Sequence, residues 1–80
     1  MSLKLRLSGD ILNARKSLGW TQPKAAGMVR ISLREYQNIE GGKCMPITEV
    51  FLRLTFIYEL DIEEYRKEIG IDIPEMVGVD

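Results

Sequence analysis

The segment Thr21–Lys43, TQPKAAGMVRISLREYQNIEGGK, leaves this chain few backbones to choose from. Thr21 and Ser32 are both good helix N-caps, because a short side-chain oxygen there can accept from a free backbone N–H of the first turn. Pro23 falls inside the turn that Thr21 opens, where a missing N–H costs little. Glu35 follows Ser32 at the spacing of a capping box, and Gly41-Gly42 supplies a stop. The pattern predicts a short helix ending near Met28, a tight turn at Val29-Arg30-Ile31, and a second helix from Ser32 to Glu40. Ala26 is small, as a close crossing of the two helices requires; a larger side chain there would overpack by about 1–3 kcal/mol. Val29, Ile31, Tyr36 and Ile39 are expected to face inward and set the angle between the helices.

The flanking sequence predicts more helices. One should start near Ser8, with Asp10 in its first turn, and run to Leu18 before Gly19. Ile11, Leu12, Arg15 and Leu18 are spaced as its one face. Pro46 and Thr48 open a fourth, with Val50, Phe51, Leu54, Ile57 and Tyr58 as its buried stripe. Asp61 caps a fifth, with Glu64 completing a capping box, Ile62, Tyr65 and Ile69 on its apolar side, and Gly70 ending it. Leu3, Leu5 and Leu7 alternate with Lys4 and Arg6, a period of two that fits a short β-strand, with a frayed N-terminus as the alternative. Ile71, Asp72 and Ile73 repeat it more faintly, so the two segments are candidates for a small sheet. The expected fold is all-α: five helices in a single domain over residues 1–80, with the helix-turn-helix at about 21–40 and a tail at about 71–80.

Composition narrows the function. With 45% hydrophobic and 29% charged residues, the chain is too apolar for disorder. It has neither an apolar run long enough for a membrane span nor a signal-peptide pattern, so a cytoplasmic protein is expected. The 80 residues include no His and one Cys, Cys44, which leaves no internal disulfide and no evident zinc site, nucleophile–base pair or cofactor site. No phosphate-binding loop is present, and Gly41-Gly42 reads as a helix stop. No enzyme is expected. The net charge of -1 conceals a division. Residues 1–43 hold eight basic side chains against three acids, and residues 44–80 hold three against nine. The basic half contains the helix-turn-helix and can hold a positive face.

A helix-turn-helix places its second helix in the DNA major groove. Leu33, Arg34, Gln37 and Asn38 lie on the outer side of that helix and are the candidate base readers. Arg34 can bond guanine O6 and N7, Gln37 or Asn38 can bond adenine N6 and N7, and Leu33 can pack on a thymine methyl. Gln22, at the N-terminus of the preceding helix, can hold a phosphate together with free backbone N–H groups. Ser32 and Arg30 are further phosphate candidates.

Taken as an ordered set, Arg15, Thr21-Gln22, Ala26, the turn at Val29-Arg30-Ile31 and Ile39-Glu40-Gly41-Gly42-Lys43 resemble the Cro and lambda-repressor-like helix-turn-helix proteins, the Xre family. The resemblance runs without a gap from about Gly9 to Tyr65. It implies a five-helix DNA-binding domain, an ion pair between Arg15 and Glu40, and a phosphate contact from Lys43. Arg30 departs from the pattern, standing where a Gly is common because the backbone there often takes a positive φ. The resemblance implies a repressor that binds double-stranded DNA as a homodimer on a palindromic operator. Phe51, Phe56, Tyr58, Tyr65 and Met76 are candidates for the dimer surface. The alternative is a protein-interaction adaptor or an antitoxin, whose acidic C-terminal half would face a basic partner such as a toxin.

Overall fold

The computed structural model describes residues 2–69. Five helices follow in order: α1 (Leu3–Leu18), α2 (Gln22–Val29), α3 (Leu33–Glu40), α4 (Thr48–Ile57) and α5 (Ile62–Ile69). The described residues are all-α, and none forms a strand. Gly70, the Ile71–Ile73 segment and Met76 lie outside them.

The N-terminus corrects the sequence reading. Leu3–Leu7 belongs to α1, capped by Ser2, whose Oγ accepts from the Leu5 N–H at 3.1 Å. Leu3, Leu7 and Ile11 recur every four residues. That spacing satisfies a helical stripe as well as an alternating strand, and burial decides between them. Leu7 and Ile11 are buried and Leu3 packs against the core, while Leu5 is exposed. Ser8 is therefore not an N-cap. It sits mid-helix, where its hydroxyl donates to the Glu40 carbonyl at the end of α3.

The other N-caps follow the sequence, although among the described residues neither Glu35 nor Glu64 returns the side-chain bond that would complete a capping box. Thr21 Oγ1 accepts from the Lys24 N–H at 3.2 Å, and Ser32 Oγ from the Glu35 N–H at 3.0 Å. Asp61 Oδ1 accepts from the Glu63 N–H at 3.0 Å. Helix α4 starts without a side-chain cap bond.

Helix α3 packs on α1 and α2, α2 also on α4, and α1 on α5. All five helices supply the core, through Leu7, Ile11, Ala25, Ala26, Val29, Tyr36, Ile39, Val50, Leu54 and Tyr65, with Tyr58 just after α4. Ala25 and Ala26 are both buried in α2, the helix that packs on α3 and α4. The Tyr36 and Tyr58 hydroxyls share a buried hydrogen bond of 2.6 Å, joining α3 to the end of α4. Burial pushes both phenols above their ordinary range, so both stay protonated. Phe51 meets Tyr65 edge-on at 5.5 Å between centroids, and Trp20 lies 6.0 Å from Tyr58.

Helix α5 is held to α1 by charge. Arg6 lies 3.2 Å from both Asp10 and Glu68 and 3.8 Å from Glu64, and its guanidinium sits over the Tyr65 ring. The Tyr65 hydroxyl donates to Asp10 at 2.5 Å. Burial, and then that hydrogen bond, raise the Tyr65 pKa.

Candidate nucleic-acid interface

The turn between α2 and α3 is closed by backbone hydrogen bonds. Arg30 takes the left-handed conformation, φ 67 and ψ 46. Its N–H donates to the Gly27 carbonyl at 3.3 Å, and the Ile31 N–H to the Ala26 carbonyl at 3.1 Å. This is the Schellman arrangement. A side chain in that conformation costs roughly 1 kcal/mol relative to glycine. Arg53 of α4 supports the same end of α2, donating to the Val29 carbonyl at 3.0 Å while pairing with Glu49 at 2.5 Å.

The far end of α3 closes the same way, with Gly42 at φ 75. The Gly42 N–H donates to the Ile39 carbonyl at 3.1 Å and the Lys43 N–H to the Asn38 carbonyl at 2.9 Å. A Cβ on Gly42 would also stand 3.0 Å from Leu5 Cδ2, because the chain there lies against α1. The positive φ is what favours glycine here, since the exposed Leu5 side chain can swing aside.

Arg15 and Glu40 do pair, and the pairing is bidentate. Arg15 Nε reaches Glu40 Oε2 at 2.8 Å, and Nη2 reaches Oε1 at 3.0 Å. Arg15 Nη1 donates to the Trp20 carbonyl at 2.9 Å. The Glu40 side chain is only 5% exposed and that of Arg15 14%. Burial works to raise the Glu40 pKa. The hydrogen bonds the carboxylate accepts, those from Arg15 and Gln22 foremost, and the Arg15 charge together outweigh it, and the carboxyl is held below its usual range.

Gln22 joins this cluster. Its Nε2 donates to Glu40 Oε1 at 2.8 Å, and its Oε1 accepts from Gln37 Nε2 at 3.2 Å. One polar chain therefore runs from α1 through the end of α3 to the start of α2, and back to the outer side of α3.

Along that outer side, Leu33, Arg34 and Gln37 are exposed and Asn38 is half-buried. Residues 33 and 37, and 34 and 38, are each one helical turn apart and share a side. Ser32, at the head of α3, is exposed, as are Arg30 in the turn and Lys43 beyond Gly42. Among the described residues Arg30, Arg34 and Lys43 take part in no ion pair, so their charges are available to an anion.

Sequence reasoning missed several supports of this surface. The Glu49–Arg53 spacing was legible, but no spacing rule points Arg53 at Val29. Ser8 was assigned to a cap instead of to Glu40. The Gln22–Gln37 bond is a long-range contact with no local signal, and no cap rule points Arg15 at the Trp20 carbonyl five residues on. Of the aromatic residues expected at a dimer surface, Tyr58 and Tyr65 are buried within the protomer and Phe51 is half-buried, whereas Phe56 is 84% exposed. No helix among the described residues is long and apolar enough to cross a membrane. No protein-family model, curated protein or solved structure matches the chain.

Proposed function

We propose that this chain is a sequence-specific regulator of transcription that binds double-stranded DNA in the cytoplasm, a Cro-like repressor of the Xre type acting as a homodimer. The observation that carries the reading is the anchoring of α3. Ser8 and Arg15 of α1 hold its C-terminal end, Gln22 of α2 reaches Glu40 and Gln37 on it, and its outer side leaves Leu33, Arg34 and Gln37 exposed. An α-helix with its side chains is about 10–12 Å across, and a major groove about 12 Å wide admits one.

The roles follow from side-chain chemistry. Arg34 forks onto guanine O6 and N7, and Gln37 and Asn38 meet base edges beside it. Leu33 packs on a thymine methyl. Gln22 keeps a second amide hydrogen for a phosphate near the α2 N-terminus. Arg30, Ser32 and Lys43 bind phosphates on either side of the groove. A dimer would set the two α3 helices about 34 Å apart on a palindrome. The exposed apolar side chains Ile47, Leu52 and Phe56 suit such a contact. The same three residues favour the second reading, an adaptor or antitoxin that engages a toxin.

Selection of bound fragments from a genomic library, with salt titration, separates the two. A regulator enriches a shared palindromic site and loses affinity steeply with salt. An adaptor shows only weak, sequence-independent binding at low salt.

A further inference from the structure

An apolar groove of about 330 Å³ lies between α1, the α3–α4 connection, α4 and α5, lined by Leu3, Met45, Phe51, Ile62, Tyr65 and Ile69. Tyr65 is buried at its base, edge-on to Phe51, while Met45, Ile62 and Ile69 are exposed around it. Ile62, Tyr65 and Ile69 recur at helical spacing, so one apolar side of α5 forms a wall of the groove. That wall is about 12 Å long, for a helix of eight residues.

The sequence that follows α5 matches this groove in place, length and pattern. Ile69 both ends the helix and lines the groove, so the next residue already stands at its mouth. That residue is Gly70, the type that reverses a chain at a helix C-terminus. Ile71, Ile73 and Met76 come next among polar residues, and Pro74 favours an extended backbone for Ile73. In an extended run Ile71 and Ile73 share a side and Asp72 faces away. Six extended residues span about 20 Å, more than the wall requires. We infer that residues 71–76 turn back at Gly70 and dock in this groove of their own chain, with Ile71 and Ile73 seated against Phe51, Tyr65 and Ile69. A link of one residue gives this segment an effective concentration in about the millimolar range, which a second copy at micromolar concentration does not match. Seated there, it closes this face to a second copy and leaves Ile47, Leu52 and Phe56, in and beside α4, open to one.

Nuclear Overhauser contacts in the full chain, with isoleucine methyls labelled, read the docking directly. Wild type should show contacts from the Ile71 or Ile73 methyls to the Phe51 and Tyr65 rings. Those contacts should persist when labelled protein is diluted into unlabelled protein. Ile71→Ser with Ile73→Ser should lower the melting temperature by roughly 5–10 °C, and Asp72→Ser should stay within about 3 °C of wild type. Absence of the ring contacts, or equal melting temperatures for the serine pair and Asp72→Ser, would overturn the docking. Contacts found only between differently labelled copies, with a melting temperature that rises with protein concentration, would also overturn it and assign the groove to the same segment of a second copy.

Discussion

Replacing Arg15 by Ala tests the ion pair on which the α1–α3 packing depends. The substitution removes two hydrogen bonds to Glu40 and one to the Trp20 carbonyl. Gln22 remains beside the carboxylate, but a neutral amide cannot offset a charge in a side chain only 5% exposed. Breaking a buried pair by removing one partner costs about 3–5 kcal/mol. Arg15 keeps 14% exposure, so water can reach part of the vacated space, and the lower end, about 3 kcal/mol, is expected. Domains of this size have total stabilities of about 4–12 kcal/mol, so the loss is a large share. Each kcal/mol moves the melting temperature of such a domain by roughly 4–8 °C, and a fall of about 12 °C or more should follow. Lys16, next in sequence and exposed, is the control, and Lys16→Ala should stay within about 0.5 kcal/mol of wild type. Adding Glu40→Gln to Arg15→Ala removes the stranded charge. The double variant should therefore lose less than the two single losses combined, by about 1–3 kcal/mol. Urea and thermal denaturation followed by circular dichroism measure the wild type, the three single variants and the double variant. Equal losses for Arg15→Ala and Lys16→Ala, or strict additivity with Glu40→Gln, would refute the buried-pair argument.

Other outcomes follow from the same geometry. Because Glu40 is held below its usual range, its contribution is complete above the unfolded carboxylate pKa, about 4.3, and is lost as pH falls through the lower folded value. The stability gap between wild type and Glu40→Gln should thus be constant from neutral pH to about 5 and narrow below about 4, which denaturation across that range will check. Arg30→Gly relieves a left-handed side chain and should raise the melting temperature by roughly 4–8 °C, while the salt slope of DNA binding falls by about one if Arg30 meets a phosphate. Gly42→Ala places a Cβ at a positive φ, 3.0 Å from a Leu5 side chain that can swing aside, and should destabilise by about 1–2 kcal/mol. Gly27→Ala, in open space within α2, should stabilise by about 0.5–1 kcal/mol, and one melting series compares the two.

Much of the fold was legible because its signals are local. Thr21, Ser32 and Asp61 cap by short-range hydrogen bonds, and the sequence can show those. The strand expected at Leu3–Leu7 failed because a four-residue recurrence fits both periods, and the burial of Leu7 and Ile11 settles it in favour of a helix. Ser8 failed for a related reason. A serine before an acidic residue looks like a cap, but its hydroxyl serves a carbonyl 32 residues away. The Arg15–Glu40 pair came from a resemblance, and no periodicity would have found it. The Gln22–Gln37 bond depends on how closely the start of α2 approaches the outer side of α3, which only the packed helices determine. Tyr58 and Tyr65 looked available to a partner, yet the core takes them both.

The claim on which the rest depends is that the outer side of α3 reads bases. It is tested most directly by selecting sites from a randomised duplex pool with wild type and Arg34→Ala in parallel, at matched salt. The account predicts a two-fold-symmetric motif for the wild type. For Arg34→Ala it predicts the same motif with one guanine in each half-site relaxed and affinity there reduced by about 1–3 kcal/mol. Identical motifs and affinities for the two proteins, or no motif for the wild type, would contradict it.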